Sequence, residues 1–261
     1  MKIVHLTDTH VVAGNAALAD LCPGARLRTA VDSINAEHGD AAFVVVTGDL
    51  SDSGDAASYE TFGTEIQRLE MPFHLLVGNH DDTDELVRVF RDLPRDTEGF
   101  VQSSVATPFG RCLFLDTHVP GSVAGEYCPA RQGWLRAELA RDAEPVFLFM
   151  HHPPFPVGMS GMDDIRLADG DAFHALLSPH APRIRHLFFG HLHRPVWGTW
   201  RGIPYSCMRG TNHQVALGLG GAKDPVLGTR EPPAYGIVLL SDEQVTVHMH
   251  DYTNAFSTVP I

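Results

Sequence analysis

Aspartate, asparagine and histidine side chains occur in five short groups along the 261-residue chain, and each group directly follows an apolar run. Carboxylate, amide and imidazole donors without a thiolate suit hard or borderline divalent ions, here Mn, Fe, Co or Zn. Seven donors exceed the four of a tetrahedral zinc site and suit two ions bridged by one carboxylate. Such pairs of ions promote in-line displacement at phosphorus. The seven candidate ligands are Asp8, His10, Asp49, Asn79, His151, His191 and His193.

The order of these groups carries more information than any one of them. Gly-Asp and Gly-Asn-His-Asp also occur in ordinary turns, because Gly, Asn and Asp favour turn conformations. Asp-x-His is common by chance, and Gly-His-Leu-His also fits an exposed loop. Their joint occurrence, each after an apolar run, argues for one shared site. The groups are Asp8-Thr9-His10, Gly48-Asp49-Leu50-Ser51-Asp52, Gly78-Asn79-His80-Asp81, His151-His152-Pro153-Pro154 and Gly190-His191-Leu192-His193.

The elements that must position these groups begin with an alternation of strands and helices. Apolar runs at 2–7, 41–47 and 73–77 predict strands, and helical periodicity at 25–38 and 58–69 predicts the connections between them. This order is typical of a right-handed parallel α/β unit. In open α/β sheets, sites form beyond the carboxyl ends of the strands. We therefore expect the five groups to converge in space.

The rest of the chain predicts a second set of strands. The pattern indicates an α/β fold with two facing mixed β-sheets and helices outside, as a single domain over 1–261. Residues 214–261 form a C-terminal loop and hairpin extension of it, and 218–233, rich in Gly and Pro, is predicted to be a long loop. The predicted helices are 84–90, 132–141 and 172–177; the predicted strands are 100–106, 111–116, 145–150, 185–189, 196–200, 204–208, 235–240 and 244–250.

Composition limits the classes of partner. The formal net charge is −13, so nucleic-acid polymers and anionic membranes are poor partners. A small phosphate ester remains compatible, because bound metal ions would set the local field. The four cysteines are scattered without a C-x-x-C pair, which favours reduced thiols in a cytoplasmic protein. The first residues enter a strand at once and do not resemble a signal peptide, and no apolar run is long enough to span a membrane.

The five groups together resemble the calcineurin-like metallophosphoesterases. That family carries D-x-H, G-D-x-x-D/N, G-N-H-D/E, a lone His at a strand end, and G-H-x-H, in the order seen here from Asp8 to His193. Within the family, the chain is most similar to bacterial class III cyclic nucleotide phosphodiesterases and glycerophosphodiesterases. The closer match rests on the segments 150–154, 162–163 and 210–215. The resemblance implies a four-layer αββα sandwich.

The resemblance also implies a role for each group. One ion would be held by Asp8, His10 and His193, the other by Asn79, His151 and His191, with Asp49 as the bridge. A metal hydroxide would attack phosphorus, and His80 would contact the phosphate or protonate the leaving alkoxide, which makes Asp49 and His80 the catalytic candidates. His213 resembles a position near the substrate. Asp52 and Asp81 are expected to orient ligands by hydrogen bonds, whereas His5, His74, His248 and His250 are not expected to bind metal.

The function expected from these residues is hydrolysis of small phosphodiesters, either cyclic nucleotides or glycerophosphodiesters, with two divalent ions. A metal-dependent phosphomonoesterase or protein phosphatase is the main alternative. A metal-free scaffold would require degenerate ligand positions, which the chain does not have, and the acidic balance disfavours a nuclease. The sequence leaves the natural substrate, the native metals and a homo-oligomeric state open. Four segments are expected to form the substrate pocket: 15–24, 118–128, 156–163 and 218–233.

Overall fold

The computed structural model describes residues 1–14, 16–159, 161–220 and 226–253. Part of the predicted 218–233 loop and of the 15–24 and 156–163 segments, and the end of the C-terminal extension, lie outside these residues. No helix in the described part of the chain is both long and apolar enough to cross a membrane. The α-helices of the described residues are α1 (Pro23–His38), α2 (Ala56–Ile66), α3 (Thr83–Val89), α4 (Pro129–Ala140) and α5 (Gly170–Leu177).

The first sheet has the strand order β13-β12-β1-β2-β3. Strands β1, β2 and β3 are parallel to one another, as the strand-helix alternation predicts. The hairpin β12–β13 joins this group through β12, which pairs antiparallel with β1. The sheet is therefore mixed, and its parallel strands all end on the side where the first three polar groups follow. The bounds are β1 (Lys2–Leu6), β2 (Phe43–Thr47), β3 (Phe73–Leu76), β12 (Ala234–Leu240) and β13 (Val245–Asp251).

The second sheet has the order β4-β5-β6-β7-β9-β8 and is also mixed. Strands β5, β6, β7 and β9 are parallel, and β4 and β8 are antiparallel edges. The predicted 218–233 loop is not irregular throughout, because β10 and β11 pair as a two-residue ribbon too short to leave an alternating pattern. The bounds are β4 (Ser103–Thr107), β5 (Gly110–Phe114), β6 (Val146–Phe149), β7 (Ile184–Phe189), β8 (Val196–Trp200), β9 (Ile203–Cys207), β10 (Gln214–Val215) and β11 (Gly228–Thr229).

The two sheets face each other, with helices on both outer sides. Side chains alternate along each strand, so Val44 and Val46 of β2 pack with α1 and α2 whereas Val45 packs between the sheets. A separate apolar cluster joins the second sheet to α4 and α5. This arrangement is the expected four-layer αββα sandwich. The layer between the sheets contains Ile3, Phe43, Val45, Leu76, Cys112, Phe114, Phe147, Phe149, Phe188, Val238 and Leu240.

Local sequence signals explain where the first two helices begin. Helix α1 starts two residues before the periodic stretch, because Pro23 occupies a first-turn position that needs no amide donor. Helix α2 starts at Ala56 because the Asp55 carboxylate accepts a hydrogen bond from the Ser58 amide at 2.9 Å. Both helices bury one apolar stripe against the first sheet. They fix the loops that follow β1 and β2, which carry Asp8 and Asp49.

Two histidines that do not belong to the five polar groups are buried in the layer between the sheets. His5 Nε2 lies 2.8 Å from the Thr47 hydroxyl, and His186 Nε2 lies 3.0 Å from the Ser206 hydroxyl. Burial lowers the pKa of His5 to about 3 and that of His186 to about 4. Both rings are therefore neutral near pH 7, because burial disfavours the charged form.

The lowered pKa values of these two histidines predict that the protein loses stability on mild acidification. In the unfolded chain they titrate near their ordinary pKa of 6.5, whereas in the folded chain they resist protonation down to about 3 and 4. The unfolded state then binds more protons, so the free energy of unfolding falls as the pH drops below that unfolded value. Each histidine should contribute a slope of about 1.4 kcal/mol per pH unit.

Urea unfolding of the metal-free protein at several pH values between 7.5 and 5 tests this slope. His5→Gln keeps a hydrogen-bonding side chain but does not titrate, so the slope should decrease by about one histidine's share, roughly 1.4 kcal/mol per pH unit. His248→Gln changes an exposed histidine and should retain the wild-type slope. Equal slopes in the His5 variant and the wild type would contradict the assignment.

Candidate metal centre

The seven candidate ligands meet where the strand ends of the two sheets face each other. Asp8, Asp49 and Asn79 follow β1, β2 and β3, while His151 and His191 follow β6 and β7. Parallel strands place the residues after their carboxyl ends at one edge of a sheet. All these side chains except Asn79 are at least 95% buried, with exposures of 5% or less. The convergence expected from the sequence is present.

One half of the centre consists of Asp8, His10 and His193. The Nε2 atoms of His10 and His193 are 3.0 Å apart, and His193 Nε2 is 3.5 Å from Asp8 Oδ1. With Asp49, these donor atoms all lie within 4.8 Å of one another. The Asp8 carboxylate is held by the His191 amide at 3.0 Å and the Thr7 hydroxyl at 2.9 Å. Its orientation is therefore fixed by the strand that carries it and by the opposite sheet.

The other half consists of Asn79, His151 and His191. Asn79 Oδ1 lies 3.1 Å from His151 Nε2 and 2.9 Å from His191 Nδ1. His191 thus presents Nδ1, whereas His151 presents Nε2. Among the described residues, the buried Nε2 of His191 has no hydrogen-bond partner. Beside this half, the His152 ring lies 4.7 Å from the rings of both histidines, and Nδ1 of His152 is 2.8 Å from the Thr117 hydroxyl.

The Asp49 carboxylate lies between the two halves. Its Oδ2 is 3.4 Å from His10 Nε2 and also 3.4 Å from His151 Nε2, one nitrogen from each half. Its Oδ1 accepts a hydrogen bond from the His80 amide at 2.9 Å. A single carboxylate therefore faces both groups of donors and is held in place by the backbone.

The ring nitrogens that face away from the centre are held as hydrogen-bond donors. His151 Nδ1 donates to the Thr47 carbonyl oxygen at 2.7 Å, and His193 Nδ1 donates to the His213 carbonyl oxygen at 2.9 Å. His10 Nδ1 donates to the Asp52 carboxylate at 3.0 Å. Each contact fixes the tautomer and leaves the Nε2 lone pair directed at the centre. Asp52 therefore occupies the orienting position expected for it.

Asp81 also occupies an orienting position. Its buried carboxylate accepts hydrogen bonds from the amides of Leu50 and Ser51 at 3.1 Å, from the Gly78 amide at 2.8 Å and from the Tyr59 hydroxyl at 3.1 Å. It thereby joins the loop after β2 to the loop after β3. Burial and the nearby Asp49 carboxylate raise the pKa of Asp81 to about 6.

The backbone is strained at most of the candidate ligands. Eight non-glycine residues in the described chain have positive φ, and five of them are candidate ligands with φ between 43° and 68°. Left-handed conformations are costly for residues with a Cβ and concentrate at functional sites. The strained ligands are Asp8, His10, Asp49, His191 and His193.

Glycines before two of the ligands leave no room for a side chain. A Cβ on Gly78 would lie 2.2 Å from Asp49 Oδ1, and one on Gly48 would lie 2.6 Å from His151 Nδ1. Gly48 also has φ of 93°, which other residues rarely adopt. Glycine is therefore required in both Gly-Asp and Gly-Asn-His, because the loops of the centre pack too closely to leave room for a Cβ.

The electrostatics of the metal-free centre fit a site built for cations. Burial opposes the charged form of both His10 and His151, but carboxylates overcome it. Asp52 and Asp49 raise the pKa of His10, and Asp49 raises that of His151 to about 9. Burial would raise the pKa of Asp49, yet the neighbouring histidines hold it well below its usual range. In the metal-free centre, His10 and His151 therefore hold protons where a divalent ion would place its charge. Metal binding would release these protons.

His80 and His213 lie beside the centre, and a ring nitrogen of His213 lies within 4.8 Å of donor atoms of His10 and His193. His80 is 40% exposed on its side chain, and its Nδ1 donates to the Asp52 carbonyl oxygen at 2.8 Å. The His80 ring lies 4.6 Å from that of His10. The His213 ring lies 5.0 Å from His10 and 4.5 Å from His193. Both rings therefore border the space in front of His10.

A cavity of about 230 Å³ opens beside His213. Parts of two predicted pocket walls meet there, namely Ala19 to Leu21 and Gly228 to Arg230. The Arg230 guanidinium pairs with Asp20 at 2.5 Å and joins the two walls. A larger cavity of about 560 Å³ lies near the edges of β3 and β4, but it contains none of the candidate ligands. The smaller cavity also lacks the seven candidate ligands, but its wall includes His213, whose ring lies 4.5 Å from that of His193. It is therefore the cavity that adjoins the centre.

Thr47, Tyr59 and Thr117 support the centre but are absent from the predicted site. Thr47 contributes its carbonyl oxygen, and a backbone atom leaves no signal in residue type. Tyr59 was predicted only as part of the buried face of a helix, yet its hydroxyl donates to Asp81 and accepts from the Asp82 amide at 2.7 Å. A tyrosine on a buried helix face indicates packing, and only the fold shows which polar atom its hydroxyl reaches.

Removal of the Asp52 carboxylate should weaken metal binding without removing a candidate ligand. In Asp52→Ala, His10 loses the acceptor that fixes its tautomer, and such orienting partners typically contribute about 10–100-fold to metal affinity. Equilibrium dialysis against a competing chelator should show that loss for the ion held by His10. Asp92→Ala, which changes an exposed carboxylate, should bind metal as the wild type does. Unchanged affinity in the Asp52 variant would contradict the orienting role.

The family follows from comparison with known proteins. The calcineurin-like phosphoesterase family profile matches residues 1–195, which contain all seven candidate ligands. The chain belongs to the calcineurin-like phosphoesterases. This family assignment agrees with the resemblance seen in the five polar groups and with the divalent metals that their His and Asp clusters imply.

Two relatives illustrate the similarity over nearly the whole chain. A probable cyclic nucleotide phosphodiesterase of Rhodopseudomonas palustris is 40% identical over 252 residues, covering 95% of this chain and 91% of the relative. A probable glycerophosphodiester phosphodiesterase of Arcobacter nitrofigilis is 30% identical over 253 residues, covering 95% of this chain and 92% of the relative. Both groups named from the short segments are therefore present among the relatives.

A solved structure supports the architecture alone. A dimetal phosphatase from Danio rerio superposes with a TM-score of 0.72 at 16% identity, covering 97% of this chain and 96% of that one. At that identity the likeness concerns the fold, and the αββα sandwich is common to both.

Proposed function

We propose that this protein is a binuclear metal-dependent phosphodiesterase that hydrolyses small phosphodiesters. The observation that carries the proposal is the position of Asp49, whose Oδ2 is 3.4 Å from a donor nitrogen in each half of the centre. A carboxylate so placed, between two sets of fixed donors, is suited to bridging two ions. The relatives named for cyclic nucleotides and for glycerophosphodiesters both support action on a diester.

The residues fit two divalent ions in the halves described above. Asp8, His10 and His193 would hold one ion, Asn79, His151 and His191 the other, and Asp49 both. The ions would supply Lewis-acid stabilisation of the phosphate oxygens and a nucleophile at neutral pH. Mn, Fe, Co and Zn all suit this donor set of oxygens and nitrogens, without a thiolate.

We infer that His80 handles the proton of the leaving group. Its Nδ1–H is occupied by the Asp52 carbonyl oxygen, so the free lone pair or proton is on Nε2. The ring lies beside His10 and is exposed to the space where a substrate would enter. Its Nε2 is available to contact a phosphate oxygen or to protonate an alkoxide as it departs.

The arginines near the centre are already engaged in structural contacts, which favours a singly charged substrate over a doubly charged one. A phosphomonoester carries about two negative charges near pH 7 and is usually met by arginine forks. Arg209, the arginine next to the 210–215 segment, contacts the Pro232 carbonyl oxygen at 3.3 Å and Glu231 at 3.4 Å. Arg194 pairs with the same Glu231 at 3.2 Å. Both are engaged in structural contacts, so a second substrate charge would gain little from them.

We therefore expect diesters to be preferred over monoesters. kcat/KM for bis(p-nitrophenyl) phosphate should exceed that for p-nitrophenyl phosphate with the same metal and at the same pH. Because these esters differ in bulk as well as charge, the comparison should include several alkyl and aryl leaving groups. A monoester preference across leaving groups and metals would replace this proposal with a phosphomonoesterase or protein phosphatase.

The cavity beside His213 bears on which diester is used. Leu21 and Thr229 give it one apolar and one polar wall, and the Arg230–Asp20 pair closes one side. A nucleoside or a glycerol moiety attached to the phosphate would extend toward this space. A panel of 3′,5′-cyclic, 2′,3′-cyclic and glycerol diesters, assayed with Mn²⁺, Fe²⁺, Co²⁺ and Zn²⁺, tests the proposal directly. Absence of turnover with every diester and metal would overturn it.

A further inference from the structure

A second set of metal-binding side chains lies away from the centre, between helix α1 and the edge strand β13. Glu37 and His38 are the last two residues of α1, and His250 is in β13. Donor atoms of these three residues all lie within 4.8 Å of one another. None of the three belongs to the five polar groups, and from the sequence His250 is expected to face solvent.

These side chains make short contacts with one another and with their neighbours. His250 Nε2 is 3.3 Å from Glu37 Oε2, and the rings of His250 and His38 are perpendicular with centroids 5.3 Å apart. The Ser33 hydroxyl donates to Glu37 Oε1 at 2.8 Å, which leaves Oε2 for His250. The Tyr235 ring lies 5.0 Å from that of His250. The glutamate and one histidine are thus positioned by their neighbours.

His38 provides an independent observation. Both of its ring nitrogens are shielded from water, and neither has a hydrogen-bond partner among the described residues. A buried polar atom without a partner is costly and usually has an explanation such as an ion. The ring also ends a sixteen-residue helix, where the negative end of the helix dipole favours a cation.

We propose that Glu37, His38 and His250 bind a divalent transition-metal ion that joins α1 to β13. On a tetrahedral ion with ligand distances of about 2.0–2.1 Å, two donor atoms are about 3.3 Å apart. The 3.3 Å between His250 Nε2 and Glu37 Oε2 matches that separation. Two imidazoles and one carboxylate are a set that zinc accepts, with water in the fourth position.

The consequence of such an ion concerns the edge of the first sheet. Among the described strands, β13 pairs only with β12, and β12 pairs with β1, the strand that leads to Asp8. A metal bond from β13 to α1 would close this edge against the helix layer. The ion would stabilise the C-terminal hairpin and take no part in the phosphoryl chemistry.

Zinc binding to the full-length protein tests the proposal. The wild type should bind one more Zn²⁺ per chain than Glu37→Gln, by dialysis and metal analysis, however many ions the main centre holds. Glu37 is exposed, so this substitution does not threaten the fold. His250→Gln should lose the same ion, whereas His248→Gln, at an exposed position of the same strand, should keep it. Phosphodiesterase activity with the main centre loaded should be equal in all four proteins.

Hydrogen exchange supplies a second readout. Zn²⁺ should slow amide exchange of β12 and β13 in the wild type and in His248→Gln, but should give less protection in Glu37→Gln. Equal zinc content in the wild type and in both ligand variants would overturn the site. A lost ion without a change in protection would overturn its role at the sheet edge.

Discussion

Asp49→Ala should remove both ions or leave one weakly held, and activity should collapse. The carboxylate is the only described group that faces donors from both halves, at 3.4 Å from each nitrogen. Alanine cannot span two cations, and the paired ions contribute several kcal/mol to the transition state. Since about 1.4 kcal/mol corresponds to a tenfold change in rate, turnover should fall by about 10³-fold or more.

The measurement is metal content and kcat/KM on one diester for the same preparation. Asp92→Ala, the exposed aspartate already used as a control, should retain both ions and full activity. If Asp49→Ala keeps two tightly bound ions and near wild-type turnover, the bridging assignment is wrong. Loss of activity with both ions retained would instead assign Asp49 a role in chemistry other than bridging.

His80→Ala should behave differently, because it should keep both ions and still lose rate. The His80 amide that donates to Asp49 Oδ1 is a backbone atom and survives the substitution. Only the ring is lost, with its exposed Nε2. The expected decrease in kcat is roughly 10²–10⁴-fold, the range typical of general acid–base catalysis.

Leaving-group dependence separates the two possible roles of His80. A ribose or glycerol alkoxide requires a proton as it departs, whereas a nitrophenolate does not. The His80→Ala decrease should therefore be larger for alkyl diesters than for aryl diesters. An equal decrease for both classes would show that His80 positions the phosphate and donates no proton. His248→Ala, at an exposed position on the edge strand, serves as the control for a lost imidazole.

Much of the fold was predictable because its strongest signals are local. The buried runs that became β2 and β6 were predicted as strands, and the helical periodicity of 25–38 located α1 except for its first two residues. The four-layer sandwich was confirmed as well. The β10–β11 ribbon was missed, because two residues per strand cannot show an alternation.

The sequence predicts the candidate ligands of the site but not the groups that hold those ligands in place. Residues such as Asp8 and His191 were predicted as candidate ligands from their type and their position at a strand end, because ligand chemistry depends on the side chain itself. The acceptors that fix the histidine tautomers are partly backbone atoms, such as the carbonyl oxygens of Thr47 and His213, which any residue type would provide. Likewise, the closeness of Glu37 to His250 depends on how a helix end packs against an edge strand more than 200 residues later.

The left-handed backbone at five candidate ligands bears on attempts to stabilise this protein by mutation. If each costs roughly 1 kcal/mol, the total is on the order of 5 kcal/mol, comparable with the whole stability of an ordinary domain. Glycine at any of these positions would remove the left-handed strain, but it would also delete a ligand and leave the buried hydrogen bonds of that side chain unmade. Relief of strain and loss of metal binding are therefore coupled at these five positions. A stability screen carried out with metal present favours the ligand, because bound ions stabilise the folded state.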